Sequence, residues 1–175
     1  MIRLHRSGAL LLACLFAAQP VLAQPRPGAG PVDVRAQLPE GARKAWDAAK
    51  QLAEAKDFKG ALVELHQAYD LSQNPRVLYN IGALEKLLTH YARAVDAWEL
   101  ELKEGTGKIG PGEIAEAKSS IAIVQAFVTT IDVTANEPDA TLWIDDYAVG
   151  KTPFAGTVRI DVGKHTLKLS KEGFV

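Results

Sequence analysis

The strongest constraint on the fold is an internal repeat with a period of about 33 residues. "AWDAAKQLAEAKDFKGALVELHQAYDLSQNP" runs from Ala45 to Pro75, and "LYNIGALEKLLTHYARAVDAWELELKEG" from Leu78 to Gly105. Setting Asp57-Phe58 on His90-Tyr91 also sets Gly60-Ala61-Leu62 on Arg93-Ala94-Val95. Apolar residues recur at helical spacing on both sides of that point, so each unit is a helix, a tight turn and a second helix. Ala61 and Ala94 fall where two antiparallel helices must approach closely, and Phe58 and Tyr91 plug the turn.

Two such hairpins leave apolar faces open, because stacked helical pairs are stabilised by their neighbours. "EIAEAKSSIAIVQAFV", residues 113 to 128, supplies the missing neighbour. Ile114, Ala117, Ile121, Val124 and Val128 mark one face of a capping helix, and Glu113 suits the positive end of its first turn.

From Thr129 the texture changes to short alternating strands punctuated by Gly, Pro and Asp. Ala140, Leu142 and Ile144 alternate with Thr141, Trp143 and Asp145. Val158, Ile160 and Val162 form a second apolar row, and Leu167 with Leu169 a third. Asp145-Asp146 is a turn pairing "TLWI" with "YAVG", and Gly163 opens a further hairpin. Gly150 bends an edge that Pro153 then holds extended, with Lys151 and Thr152 facing solvent. Helices first and strands afterwards give an α+β fold in segregated modules. A helical repeat domain occupies 41–128, and a small antiparallel β-sandwich occupies 129–175. The β part reads as incomplete, since Val175 follows Gly173-Phe174 directly and leaves an open edge.

The N-terminus reads as an export signal over residues 1–23. Arg3 and Arg6 precede an apolar stretch, Ala9 to Ala18, too short to cross a bilayer, and Val21-Leu22-Ala23 suits cleavage before Gln24. Cys14, the single cysteine, lies inside that stretch. Too little apolar sequence precedes it for a lipid-anchoring box, so the mature chain carries no thiol chemistry. Residues 24–40, rich in Pro and Gly, read as a flexible linker. Formal net charge is -1, with no basic run beyond the first residues, which argues against a nucleic-acid partner.

Two motifs suggest nucleotides and fail on context. Gly105 to Gly110, "GTGKIG", matches G-x-G-x-x-G, but a helical repeat precedes it where a dinucleotide site needs a strand. Gly150-Lys151-Thr152 ends like a P-loop, yet Asp145 stands where the first glycine belongs, and Pro153 follows where a helix should start. His66, His90 and His165 lack metal-ligand spacing, and Asp139, Asp145 and Asp146 lack the alternating oxygens and bidentate Glu of a calcium loop. No catalytic constellation, cofactor site or nucleotide site is expected, and the chain reads as a non-enzyme.

The helical pattern, with Ile81-Gly82, Ala61, Ala68, Ala94 and the closing Pro75, resembles the tetratricopeptide repeat over about residues 42 to 104. It departs at Ala48-Ala49, where Leu-Gly is usual, and at Glu101, where a small residue is expected. Residues 130 to 175 resemble a PEGA-type β-sandwich. The resemblance rests on Asp145-Asp146, Val149-Gly150 with Thr152-Pro153, Gly163 with His165, and Gly173-Phe174. Asp146 replaces the usual turn glycine and Val162 a common proline. These resemblances imply a periplasmic or cell-surface scaffold that meets envelope proteins through a groove formed by the first helix of each pair. The groove candidates are Trp46, Lys50 and Glu54 in repeat one, and Tyr79, Asn80, Ala83 and Lys86 in repeat two. The alternative is a carbohydrate- or peptidoglycan-binding surface, with Trp143, Tyr147 and Phe154 as a sugar platform on the cell wall.

Overall fold

A computed structural model describes residues 32–153 and 157–173. The stretch expected to be an export signal, Cys14, Phe154 and Phe174 lie outside the described residues. Among these there are five α-helices followed by five strands: α1 (Glu40–Glu54), α2 (Phe58–Ser72), α3 (Pro75–Leu87), α4 (Tyr91–Glu104), α5 (Pro111–Val124), β1 (Val128–Ile131), β2 (Thr141–Ile144), β3 (Tyr147–Lys151), β4 (Val158–Asp161) and β5 (Leu167–Ser170). The helical and β modules are segregated along the chain.

The two hairpins share one turn. Lys56 and Thr89, 33 residues apart, adopt φ of 64° and 63°. Behind them Asp57 N–H donates to Leu52 O at 2.8 Å, and His90 N–H to Glu85 O at 2.9 Å. These bonds satisfy the orphan carbonyls of the first helix in each pair. Small residues let the helices close up: Ala42, Ala45 and Ala49 on α1 meet Ala61, Leu65 and Ala68 on α2, all buried. In repeat two Ala94 and Trp98 occupy the places of Ala61 and Leu65. Gly82 is what admits Trp98, since a Cβ there would stand 2.5 Å from the indole Nε1. That nitrogen donates to Tyr79 O at 3.2 Å. Glu101, where a small residue is expected, is fully buried.

Residues 32–40 are not the loose lead-in that their composition suggests. A 3-10 helix, Arg35–Gln37, lies just ahead of Leu38 and Pro39, which lead into α1; Leu38 is buried in the first core cluster, and Arg35 grips Asp47 with two bonds of 2.7 Å. One buried side chain outweighs the Pro and Gly around it.

α5 packs on α4 and is fastened at its start. Glu113, 1% exposed, accepts from Gly110 N–H at 2.8 Å and takes Arg76 of α3 in a bidentate pair at 2.8 and 3.1 Å. Arg76 also donates to Lys108 O at 2.6 Å. The "GTGKIG" stretch is thus an inter-helix connection after α4, pinned by Arg76 and by buried Ile109. α5 stops at Val124, a 3-10 helix spans Gln125–Phe127, and Val128 opens β1 instead of closing the cap. The run Val128-Thr129-Thr130-Ile131 is β-branched throughout, which favours the strand.

The strands form two antiparallel sheets, β1-β4 and β3-β2-β5. Leu142 and Ile144 from one sheet and Val158 from the other make the core, with Ile131, Val133 and Ile160 around it. Asp145 and Asp146, at φ 48° and 67°, form the two-residue hairpin tip between β2 and β3. Gly163 does not open a hairpin. It carries the chain from β4 in one sheet to β5 in the other. Leu167 and Leu169 lie opposite Ile144 and Leu142, on the core side, yet stay about half exposed because the facing sheet has only two strands.

Candidate functional site: the cleft between the modules

The β module meets the repeats through α4, and the contact begins at that helix's first turn. A helix start leaves backbone N–H groups without partners, and a preceding Asp, Ser, Thr or Asn normally accepts one. In repeat one Asp57 does so, accepting from Gly60 N–H at 2.9 Å. The equivalent of Asp57 in repeat two is His90, which makes no such bond. Its Nδ1 turns instead to Glu85 Oε2, at 2.7 Å. Asp161 at the end of β4 takes over, accepting from Ala92 N–H at 2.6 Å. The helix is capped from the other module.

Two further ties reinforce this one. Arg159 on β4 reaches back to Asp96 and, through both carboxylate oxygens at 2.9 Å, to Glu99 on α4. Arg93 bonds Glu85 at 3.1 Å and lies over the Tyr147 ring, its guanidinium carbon 4.7 Å from the centroid. Charge, cation–π contact and helix cap all join the same faces. Beside them Tyr91 stacks on Phe127 with ring centroids 4.8 Å apart.

His165 braces Asp161 from the β side. Its Nε2 meets Asp161 O at 2.7 Å and its Nδ1 meets the Asp145 carboxylate, which also accepts from Thr166 N–H at 2.9 Å. Both ring nitrogens face acceptors, so the geometry calls for an imidazolium with two donors. The Asp145 carboxylate holds the His165 pKa above its ordinary value, opposed by burial and aided by the Asp161 carbonyl. Asp145 in turn is held below its usual range, first by His165 and then by the Thr166 N–H.

Between α4, the β2–β3 hairpin and β4 these residues border an open cleft of about 450 Å³, within the range of small-ligand sites. Lys59 of α2, Arg93 and Asp96 of α4, Tyr147 of β3 and Arg159 of β4 are among its walls. No group of three or more His, Cys, Asp or Glu suited to a metal occurs among the described residues. Nor is any helix there long and apolar enough to cross a membrane.

The groove candidates are not uniformly available. Lys50 and Glu54 are exposed, while Trp46 and Lys86 are half buried. Asn80 and Ala83 are buried, and the Tyr79 hydroxyl is engaged by Glu116, so these residues pack α3 more than they present it. Of the sugar-platform candidates, Trp143 and Tyr147 do not come together. Tyr147 pairs with Ile144 and Trp143 with Ala148, which puts the two rings on opposite faces of the sheet. Tyr147 is half exposed in the cleft, whereas the Trp143 indole N–H donates to Ser170 Oγ at 2.9 Å.

The Gly150-Lys151-Thr152 segment is structural, though not as expected. Thr152 is 4% exposed, not solvent-facing. Its hydroxyl donates to Glu137 O and accepts from Ala140 N–H at 3.0 Å, while its own N–H and C=O serve Ala140 and Asp139. The bond to Pro153 is cis. The capping role of Asp161 and the clamp of His165 were both missed from sequence. Only the lack of a capping residue at position 90 could have signalled the first.

A helical-hairpin array joined to a small antiparallel β-sandwich is the class that this fold and cleft define. Residues 128–175 match the PEGA domain family. PEGA domains are typically extracellular or periplasmic modules with surface or interaction roles. No family match supports the tetratricopeptide resemblance of the helical part. No curated protein and no solved structure matches the chain.

Proposed function

We propose that this protein is an exported, non-catalytic scaffold of the cell envelope that binds other proteins through its helical repeats. The observation that carries the reading is where the β module docks. It meets α4, the second helix of repeat two, and leaves Lys50 and Glu54 exposed on α1. The PEGA match supports an extracellular or periplasmic setting, and the tetratricopeptide-like pairs supply an array suited to an extended peptide or helix. Photo-crosslinkers at positions 50 and 54, compared with exposed Val63 on α2, test it in intact envelopes. Crosslinks to a protein at 50 and 54 but not at 63 support it. Equal capture at all three sites, or none, contradicts it.

A second reading, a carbohydrate- or peptidoglycan-binding module, is favoured by Tyr147, a half-exposed aromatic beside the charged side chains of the cleft. Retention of the protein on purified cell-wall sacculi tests it, and free passage counts against it.

A further inference from the structure

We infer that the cleft between α4 and the β2–β3 hairpin is a saccharide site that accepts one or two sugar rings. This rests on the second reading above and moves its site from the outer sheet face to the junction of the modules.

Apart from Lys59, the charges lining the cleft already have partners. Arg159 holds Asp96 and Glu99, His165 and Thr166 N–H hold Asp145, Ala92 N–H holds Asp161, and Glu85 holds Arg93. A strongly charged ligand gains little from groups already neutralised this way. A hydroxyl, which both donates and accepts, suits them well. Planar carboxylates and guanidiniums fixed in pairs keep spare lone pairs and N–H groups that a hydroxyl can meet. Because they are pre-positioned, a ligand does not have to order them.

Tyr147 supplies the apolar half of the site. With Arg93 over its ring, half of its surface remains exposed, so it offers C–H stacking to a pyranose. The volume, about 450 Å³, has room for one or two sugar rings. Lys59 is the lining cation that has no ion pair among the described residues. It adds a preference for a sugar that carries a carboxylate.

The test is calorimetric titration of the full chain with cellobiose, chitobiose and a glucuronic-acid disaccharide, beside binding to sacculi. Tyr147→Ala is expected to weaken every sugar by about tenfold or more. Lys59→Ala is expected to abolish only the preference for the acidic sugar, and Trp143→Ala, on the opposite face, to change nothing. Circular dichroism confirms that each variant is folded, and Tyr147→Phe, which keeps the ring, is expected to keep binding. If sacculi binding survives Tyr147→Ala but is lost with Trp143→Ala, the cleft assignment falls and the cell-wall reading stands. If the wild type binds neither sacculi nor any of the sugars, both fall.

Discussion

Asp161 of β4 caps α4 by accepting the backbone N–H of Ala92, across 69 residues of sequence. Repeat one caps its corresponding helix locally with Asp57, so the two repeats differ in where the cap comes from. The difference ties the β module to the start of α4, beside which the cleft lies.

Replacing Gly82 by Ala should disrupt the packing of repeat two. The added Cβ would stand 2.5 to 2.8 Å from three atoms of the buried Trp98 indole. Overpacking of this kind costs about 1–3 kcal/mol. Urea unfolding should show a lower midpoint, with a red-shifted Trp emission before the transition. A midpoint equal to wild type would mean that α3 and α4 can slide apart freely.

Thr152→Val keeps the shape and removes the hydroxyl, leaving Ala140 N–H and Glu137 O without that partner. Leaving one buried polar group unsatisfied costs about 1–3 kcal/mol. Thr152→Ser, which keeps the hydroxyl, should lose less than about 1 kcal/mol. Chemical denaturation of the two variants side by side checks the ordering Val below Ser.

The visibility of these features from sequence follows their range. The repeat was readable because its signals, Asp57 with Phe58 and His90 with Tyr91, lie inside one turn. The core face of β2 was readable because Ala140, Leu142 and Ile144 alternate. Thr152 was misplaced because its partners are backbone groups of residues 137–140, which no side-chain pattern reports. Leu38 was hidden by surrounding Pro and Gly. The face separation of Trp143 and Tyr147 was implicit in the two-residue turn at Asp145-Asp146, since that turn sets the register of the rings. The cleft itself depends on long-range pairs, such as Arg159 with Glu99, that a single sequence does not encode visibly.

The His165 clamp predicts a pH dependence. The folded His165 pKa is raised from 6.5, so the stability that its protonated form confers is complete below that value and is lost as pH rises through the raised one. Asp145 is lowered from 3.8, so its contribution holds above that value and is lost as pH falls through the depressed one. The clamp is therefore strongest between the two ordinary values. The wild-type Tm should decline from about pH 6.5 upward, and His165→Gln should remove that part of the slope. Parallel curves for the two proteins would show that the imidazolium is not what holds Asp145 and Asp161.

Cap removal gives the most direct reading of the link between the modules. Asp161→Ala should cost about 1 kcal/mol, as helix caps do. Amide hydrogen exchange at Ala92 and Gly60, followed by NMR in wild type and Asp161→Ala, compares the two caps within one molecule. Faster exchange at Ala92 in the variant, with Gly60 unchanged, is the predicted result. Unchanged exchange at Ala92 would contradict the cap and, with it, the docking of the β module on repeat two.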